Sequence, residues 1–530
     1  MANSTRKLLA GLIAAIALAA PATASGAEVQ ARAADSFADS VGVNTHTYYS
    51  NTPYYRDFGT VRQRLLQLGV RHIRENLVTD RPDQYERLRT LGNDGIRPTL
   101  ILGDPDYGSS GLAELTSILR SELADTVEAV EGPNEWDLRE GGSWMASLAP
   151  YQAQVYAAIK QNPALSRLPV VGPSLGSTNS VGSDVSGSLD FGNIHSYPNA
   201  EPPEWNLSRH FGWASRMSGS KPLMATETGY HHAFNFDDGH RPISEEAEAI
   251  YLPRLFLEYF RRGVARTFTY ELLDQFPDPG LNEAESHFGL LRHDLSPKPS
   301  YVALRNLLSI LAEPGAAFSP GSLGYTISNG GENLRQVLLQ KSDGSFYLAL
   351  WRADSVWDHR SLRATASPSS PVTIDFDQSL ASAEEFAPNA SSQVRRSLPA
   401  DEAPLTVGVG AEVVILRLAA GGPKRAISIK AWVNKRAVRA GGKVAIKGRL
   451  GRTGERHAVK IQKRSGKRWR TIGRSRTTRA GRFQKRLRLR GPRVSRIRVV
   501  AARARPSNLV RVRVLRRKGA RDVAPARALG

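Results

Sequence analysis

Two glutamates of this chain stand where strand-like segments end. Glu135 closes the letters GPNE after a mostly apolar run, and Glu227 closes the letters MATE. A carboxylate at the exposed end of a buried strand is a common part of a catalytic site. Two such groups can divide the work of catalysis, because one kept protonated donates a proton while the other, kept ionised, attacks as a nucleophile.

Other polar and aromatic side chains lie at the ends of neighbouring strand-like segments. Asn134 directly precedes Glu135. Glu131, four residues before Glu135, is expected to pair with an arginine. The remaining candidates are His46, Arg74, His195, Tyr197 and Tyr270. Because the carboxyl ends of parallel strands meet at one edge, these side chains are expected to lie in one site.

Eight strand-like apolar segments alternate with helix-like segments and must position these groups. The strands are predicted at residues 40–44, 70–75, 97–102, 127–130, 168–171, 191–195, 222–225 and 266–270. Each is expected to be followed by a helix, and helix-like patterns cover, for example, 61–68, 84–91, 112–123, 149–160 and 245–262. Eight such units over roughly 280 residues are typical of a (β/α)8 TIM barrel, predicted here for residues 35–312. Glu135 and Glu227 then fall on strands four and seven, nearly opposite across the barrel mouth.

Three motifs of this barrel resemble those of a known group of enzymes. GPNE (132–135) falls on strand four, H-x-Y (195–197) on strand six, and Glu227 ends strand seven. The segment HFGLLRHDLSPKPSYVALRNL (287–307) is similar to the last barrel segment of secreted members. Together they resemble the clan A retaining glycoside hydrolases, in particular the endoglucanase, endomannanase and β-xylosidase families. The resemblance implies a secreted glycosidase that works by double displacement, without cofactor or metal.

The resemblance also implies roles for individual residues. Glu135 would be the acid/base, Glu227 the nucleophile, and Asn134 the partner of the sugar 2-hydroxyl. The supporting residues would be Tyr197, which hydrogen-bonds the nucleophile, His195, which orients the site, and Arg74, which keeps Glu227 ionised. Many members carry a tryptophan on strand eight, where this chain has Tyr270 and Glu271. Sugar-stacking faces are therefore expected from Trp136, Trp205, Tyr48, Tyr49, Tyr54 and Tyr55, with His46 at the rim.

The N-terminus and the amino-acid composition restrict the setting. Arg6 and Lys7 precede an apolar run that ends in a small-residue cleavage site, which predicts a signal peptide over residues 1–27 (or 1–24) and an extracellular protein, either free or wall-associated. The sequence has no cysteine, which excludes thiol catalysis and cysteine metal sites. No H-E-x-x-H spacing is present, and Asp104-Pro105-Asp106 is interpreted as a turn rather than a calcium site.

The C-terminal part differs from the barrel in both pattern and charge. Period-two segments predict a β-sandwich at 313–420, a linker at 421–426, a basic Ig-like β domain at 427–517 and a tail at 518–530. Residues 421–530 hold 37 Lys and Arg against two acids, a net +35, which leaves −13 for the rest of the total of +22. Such a domain is expected to contact an anionic polymer or a cell wall, without sequence-specific nucleic-acid binding. An Ig-like spacer whose arginines reflect only composition is the alternative.

Two other functions are compatible with the same sequence. A non-catalytic carbohydrate- or wall-binding protein could use a barrel of this kind, although both carboxylates and Asn134 are present. A transglycosylase would use the same covalent intermediate and replace water by an acceptor sugar. Product analysis separates these possibilities from hydrolysis.

Overall fold

The computed structural model describes residues 27–139, 143–177, 179–180, 182–236, 239–315, 317–400, 404–423, 428–451, 456–466, 468–490, 494–501 and 506–516. The chain divides into two compact units, Gly26–Gly422 and a second that spans Pro423–Gly530. The predicted signal peptide up to residue 26, part of the predicted linker and the tail at 518–530 lie outside the described residues. Among the described helices, none is long and apolar enough to cross a membrane.

The first unit holds the barrel and a β-sandwich. Its strands are β1 (Ala27–Gln30), β2 (Arg32–Ala33), β3 (Val41–Asn44), β4 (His72–Asn76), β5 (Arg97–Ile101), β6 (Ala129–Glu131), β7 (Val170–Val171), β8 (Gly192–His195), β9 (Leu223–Thr228), β10 (Thr267–Thr269), β11 (Ser322–Ser328), β12 (Leu334–Gln340), β13 (Phe346–Arg352), β14 (Trp357–Asp358), β15 (Arg363–Ala364), β16 (Ser370–Phe376), β17 (Gln378–Ala387), β18 (Ser391–Leu398), β19 (Leu405–Val409) and β20 (Val414–Pro423). Its helices are α1 (Ala34–Ala38), α2 (Pro53–Arg56), α3 (Phe58–Leu68), α4 (Pro82–Asn93), α5 (Gly108–Ile118), α6 (Trp144–Lys160), α7 (Leu207–Ser218), α8 (Glu245–Arg261) and α9 (Pro299–Leu311).

Strands β3 to β10 form an eight-stranded parallel sheet in the order β7-β6-β5-β4-β3-β10-β9-β8. A parallel bridge between Val171 and Phe191 joins its two ends, so the sheet closes into a barrel. The strands are buried on both faces, which explains their nearly continuous apolar character. Inside the barrel Gly42 leaves room for the ring of Phe268, which any Cβ at that position would strike. The predicted (β/α)8 fold is confirmed.

One βα unit departs from the predicted alternation. After β7 the described residues contain only a single 3-10 turn, Ser186–Ser188, before β8 begins. The expectation that each strand is followed by a helix is therefore wrong at strand five. The segment between these strands is instead held against the neighbouring loop, because Asp137 accepts hydrogen bonds from the backbone N–H groups of Gly176 and Ser177.

The β-sandwich packs two sheets around an apolar core, with strand orders β1-β11-β16-β19 and β18-β17-β20-β13-β12-β2. Its centre includes Leu348, Val372, Ile374 and Leu416, all fully buried. The first two strands, at residues 27–33, precede the barrel in sequence yet belong to these sheets. Strand β1 pairs with β11, and β2 pairs with β12. Strand β20 extends to Pro423, three residues into the segment predicted as the linker.

The second unit is an all-β structure of two sheets, as its alternating pattern predicts. Its strands are β21 (Ile429–Val433), β22 (Ala437–Arg439), β23 (Lys443–Leu450), β24 (Ala458–Ser465), β25 (Arg468–Arg476), β26 (Arg482–Arg488), β27 (Val494–Ala501) and β28 (Val510–Leu515). The sheet orders are β21-β23-β26 and β22-β28-β27-β24-β25. Val510, Val512 and Val514 are buried, whereas Arg511 and Arg513 between them are exposed. Apolar side chains thus point between the sheets and cations point outward.

Candidate active site

The predicted site residues collect at the carboxyl ends of the barrel strands. Arg74 lies in β4, His195 ends β8, and Glu227 lies near the end of β9. Glu135 follows β6 after the short connection Gly132-Pro133-Asn134. Parallel strands all end at the same mouth, so the barrel brings together residues that are far apart in sequence.

Arg74 is the centre of this arrangement and is only 3% exposed. Its Nε and Nη2 donate to the two carboxylate oxygens of Glu131, both at 2.7 Å. Its Nη1 donates to Glu227 Oε1 at 2.5 Å and to Asn44 Oδ1 at 3.0 Å, and its Nη2 also donates to Asn134 Oδ1 at 2.6 Å. One guanidinium therefore sets the position of both the strand-seven carboxylate and the asparagine beside Glu135.

Glu227 is 8% exposed and is held as a carboxylate. Its Oε1 accepts from Arg74, and its Oε2 accepts from the Tyr197 hydroxyl at 2.7 Å and lies 3.5 Å from His195 Nδ1. Burial works to raise the pKa of this carboxyl, but His195, Arg74 and the Tyr197 hydrogen bond outweigh it and lower the pKa to about 2. Glu227 is therefore ionised at neutral pH.

Glu135 sits on a left-handed turn, with φ 47° and ψ 40°. A side chain other than glycine rarely adopts this conformation, and such residues concentrate at functional sites. The turn is held by the backbone N–H of Glu135, which donates to Ser174 Oγ at 3.2 Å. The Glu135 carboxylate lies 2.6 Å from His195 Nδ1, and one of its oxygens is within 4.8 Å of a Glu227 oxygen.

His195 connects the two carboxylates to the barrel interior. Its Nδ1 faces Glu135, and its Nε2 lies 3.0 Å from Thr226 Oγ1. The Thr226 hydroxyl is in turn within 3.1 Å of Glu131 Oε1, which also accepts from Asn193 Nδ2 at 3.0 Å. Burial lowers the pKa of His195, but Glu227 and Glu135 overcome that effect and raise it above the ordinary value of 6.5.

Asn134 is oriented through its carbonyl oxygen. That Oδ1 accepts from Arg74 at 2.6 Å and from the Ser174 hydroxyl at 3.3 Å. Among the described residues, no acceptor holds the Nδ2 hydrogens of this half-buried amide. The side chain is thus fixed with two N–H donors free for a ligand beside Glu135.

The predictions that aromatic side chains stack on a sugar have a different outcome. Trp136 is 2% exposed, packs against Trp144, Leu148, Val185, Leu189 and Met217, and donates to Ser147 Oγ. The prediction that it stacks on a sugar is wrong, because the left-handed turn at Glu135 leads the next side chain into this pocket. Trp136 instead anchors the Glu135 loop. Tyr54 is also fully buried, where its hydroxyl donates to Glu271 at 2.8 Å.

The other predicted aromatic positions lie after barrel strands one, six and eight. His46 is not a rim residue as expected, since it is 9% exposed and its ring stacks on Tyr49 with centroids 4.5 Å apart. Burial lowers the pKa of His46 to about 4, so the ring is neutral. Tyr270 donates from its hydroxyl to Glu285 at 2.7 Å and packs edge-on against Phe288. Trp205 is 45% exposed.

Several residues that complete the site were not predicted as part of it. Asn44, Ser174, Asn193 and Thr226 fix the orientation of Arg74, Asn134 and His195 by hydrogen bonds. Asn44 is the last residue of a predicted strand, and that position was the signal that could have identified it. Ser174 carries no such signal, because it becomes a neighbour only through the chain between β7 and β8.

Glu135, His195 and Glu227 offer three ligand atoms that lie within 4.8 Å of one another. A metal ion could in principle take such a set. Arg74, however, places a permanent cation 2.5 Å from Glu227, and Tyr197 donates to the other oxygen of the same carboxylate. A metal ion would stand against the permanent charge of Arg74 and compete with the Tyr197 donor, so the set fits proton transfer and nucleophilic attack better than metal binding.

No protein-family profile and no curated protein matches the chain. Among solved structures, it is similar to a glycoside hydrolase family 17 β-1,3-glucanosyltransferase from Rhizomucor miehei, with 22% identity over 49% of this chain and 95% of that one and a TM-score of 0.40. It is also similar to a glucosidase from Croceicoccus marinus, with 12% identity over 81% and 89% of the two chains and a TM-score of 0.41.

A third similar structure is Gas2p of Saccharomyces cerevisiae in complex with laminaritetraose and laminaripentaose. It has 14% identity over 53% of this chain and 66% of that one, with a TM-score of 0.34. Glycoside hydrolases thus stand among the solved structures that the chain resembles, as its motifs predicted. At identities below 25% and TM-scores below 0.5, the activity and substrate of this chain must follow from its own cleft.

Proposed function

We propose that this chain is a secreted retaining glycosidase that cleaves the O-glycosidic bonds of a poly- or oligosaccharide. The observation that carries the proposal is the pair Glu135 and Glu227, whose carboxylate oxygens approach within 4.8 Å at the mouth of the barrel. Retaining enzymes hold their two carboxyl groups about 5–5.5 Å apart, whereas inverting enzymes need roughly 6.5–9.5 Å to admit a water. The observed spacing leaves no room for that water.

In the first step Glu227 attacks the anomeric carbon of the bound sugar. The C–O bond to the leaving sugar breaks, and the leaving oxygen takes a proton from Glu135. Arg74 and Tyr197 help to lower the pKa of Glu227 to about 2, so Glu227 is ionised for this attack. The raised pKa of His195 favours its protonated form, and its Nδ1 lies 2.6 Å from Glu135 Oε1, so a proton can pass from the ring to this carboxylate.

In the second step water attacks the same carbon and gives its proton to Glu135. The ester bond to Glu227 breaks, and the product leaves with its original anomeric configuration. Asn134 would donate from Nδ2 to the sugar 2-hydroxyl, a contact that strengthens as charge develops on the ring. Its orientation by Arg74 and Ser174 fits that task.

The proposal has two parts that depend on residues outside the cleft. Export follows from the predicted signal peptide, and contact of the basic C-terminal unit with an anionic polymer follows from its excess of cations. Membrane extraction and cell fractionation of the expressed full chain would test the first, and the protein is expected in the medium or wall fraction.

A panel of β-glucans, mannans, xylans, galactans and wall extracts would test the activity. Wild type, Glu227→Ala and the matched control Glu122→Ala, whose carboxylate is exposed, would be incubated with each polymer and the products separated by chromatography. Release by wild type and control but not by Glu227→Ala is expected. Products longer than the substrate would identify a transglycosylase, and binding without any product would overturn the enzyme in favour of a binding protein.

A further inference from the structure

The three-stranded sheet β21-β23-β26 of the second unit has one apolar and one charged side. Its inward residues, such as Ile429, Val444 and Ile446, are buried in the core between the two sheets. Its outward residues form what we call the basic face. These are Lys430, Trp432, Lys443, Lys447, Arg449, Arg482, Gln484, Arg486 and Arg488.

Three cations of the basic face form one row across the three strands. Lys430 pairs with Arg449, and Arg449 pairs with Arg482, so three cations stand side by side on three adjacent strands. Neighbouring strands are about 4.8 Å apart, and like charges directly opposite one another destabilise a sheet. The three cations of this row therefore repel one another, and a bound anion would reduce that repulsion.

Further cations lie along the same side of the sheet, although the next row, Trp432, Lys447 and Gln484, contains only one. Lys447 lies two residues from Arg449, and Lys443 pairs with Arg488. Outward positions on a strand recur roughly every 6.6–6.8 Å. Among the described residues of this unit, from 428 to 516, there is no aspartate or glutamate to neutralise these charges. Even with the two acids of residues 421–530 counted, the cations of this unit far outnumber its carboxylates, which leaves them available to an external anion.

An exposed aromatic ring lies among these cations. Trp432 is 48% exposed and pairs with Lys447 across the strands. The other sheet also has a tryptophan on a basic surface, Trp469, but the guanidinium of Arg498 covers it, 4.3 Å from the ring centre. Trp432 has no such cover among the described residues, so its ring is open to a ligand.

We infer that the basic face binds an acidic polysaccharide, that is, a chain of sugar rings that carries carboxylates at regular intervals. Guanidinium groups bind carboxylates through paired hydrogen bonds, and a tryptophan face packs against the apolar face of a sugar ring. With a single open ring among its described residues, the basic face lacks the series of aromatic rings with which proteins hold single-stranded nucleic acid. These features favour a charged sugar polymer over a nucleic acid.

This inference rests on the proposed function only in the choice of a sugar polymer. Binding through the basic face would raise the local concentration of that polymer for a catalytic unit in the same chain. Binding and cleavage can nonetheless be measured apart. A Glu227→Gln full-length chain would bind the polymer without degrading it, and wild type would reveal cleavage independently.

The probe pair is polygalacturonate and the same polymer after methyl esterification, which removes charge and keeps the sugar backbone. Binding to the full-length Glu227→Gln chain would be measured by affinity electrophoresis and by titration at two salt concentrations. Polygalacturonate is expected to bind at least about tenfold more tightly than its ester, and its affinity should fall by about tenfold between 50 and 200 mM salt.

Matched variants locate the binding surface. The triple change Lys430→Gln, Arg449→Gln and Arg482→Gln removes the cation row from the basic face. The control Lys460→Gln, Arg474→Gln and Arg511→Gln removes the same charge from exposed positions of the other sheet. The first should weaken polygalacturonate binding by about tenfold and the control by less than about twofold. Equal losses in both would overturn the assignment to this face.

A second variant tests the sugar contact. Trp432→Ala should weaken binding of polygalacturonate by about tenfold while leaving binding of duplex DNA within about twofold, because only the sugar polymer needs the ring. The control Val494→Ala changes an exposed apolar side chain of the other sheet and should leave both unchanged. DNA that binds as tightly as polygalacturonate, or an ester that binds as tightly as the acid, would overturn the inference.

Discussion

The barrel mouth and the basic face use charge in opposite ways. In the barrel the buried cations meet carboxylates, as Arg74 meets Glu131 and Glu227, and as Lys298 meets Asp274 at 2.8 Å. On the basic face, Lys430, Arg449 and Arg482 stand beside one another, and the described part of the unit offers no carboxylate.

This difference follows from the exposure of the charged groups to solvent. A buried ion loses its hydration, so the fold must supply a partner with good geometry, whereas exposed cations remain hydrated and screened. Charges in the barrel are consequently fixed by internal contacts and can set the pKa of a neighbour. Charges on the basic face are fixed only by strand register, and their arrangement is informative about an external partner.

The largest expected effects come from the two carboxylates. Glu227→Gln should lower kcat by on the order of 10⁴-fold or more, since it removes the nucleophile. Glu135→Gln should lower it by about 10²–10⁴-fold on natural substrates. The second loss should shrink for aryl glycosides with good leaving groups, which need no proton. Steady-state kinetics on both substrate types would measure this, and equal losses on both would contradict the acid/base role.

Removal of a buried cation should be far more costly than removal of an exposed one. Arg74→Met leaves Glu131 and Glu227 without their partner and should lower the free energy of unfolding of the first unit by about 3–5 kcal/mol. The control Arg89→Met breaks an exposed pair with Glu122 and should cost about 0–1 kcal/mol. Urea denaturation of the full chain, monitored by barrel tryptophan fluorescence, would test this. A similar loss in the free energy of unfolding for both variants would contradict the difference between buried and exposed cations.

The pH dependence of kcat/KM is set by the same buried charged groups. The pKa of Glu227 is lowered from 4.5 to about 2, so its stabilising contribution is full above pH 4.5 and is lost as the pH falls toward 2. The acid limb of kcat/KM should accordingly lie near pH 2. The pKa of His195 is raised above 6.5, so the basic limb, which follows the loss of the His195 proton, should lie above that value.

This profile would be recorded on a small soluble substrate, with circular dichroism to confirm that the fold persists at each pH. An acid limb near pH 4.5 in a folded protein would show that Arg74 and His195 do not keep Glu227 ionised. A basic limb below pH 6.5 would contradict the role of the carboxylates in raising the pKa of His195.

The smallest effect has the opposite sign and belongs to the second unit. Arg511 lies directly opposite Arg496 on neighbouring strands, and both are exposed. Arg511→Glu should therefore stabilise β27 and β28 by roughly 0.2–1 kcal/mol at low salt. Slower hydrogen exchange of their amides is the measurement. The control Arg479→Glu makes the same charge change in a turn, and equal slowing in both variants would contradict a cross-strand origin.

The barrel could be predicted closely because its strands are buried on both faces. All eight predicted strands overlap those observed, and the carboxyl ends of strands four, six and seven brought Glu135, His195 and Glu227 together. The pairing of Glu131 with an arginine was also expected, and the structure identifies the arginine as Arg74. Strand order and topology were sufficient for these predictions.

Features that depend on one backbone angle or on distant pairing could not be predicted. Trp136 is buried because Glu135 adopts a left-handed conformation, and nothing in the letters NEW indicates that turn. The strands at residues 27–33 are too short to show a period, and they form only because β11 and β12, about three hundred residues later, pair with them. The missing helix after β7 likewise has no local signal.

The central claim is that Glu227 forms a covalent bond to the sugar while Glu135 serves as acid and base. The most direct measurement is the anomeric configuration of the first product, followed by proton NMR during cleavage of the polymer identified in the panel. Retained configuration, together with a trapped sugar on the peptide that contains Glu227 in the Glu135→Gln variant, is the predicted result. An inverted product, or a trapped sugar on any other residue, would contradict the account.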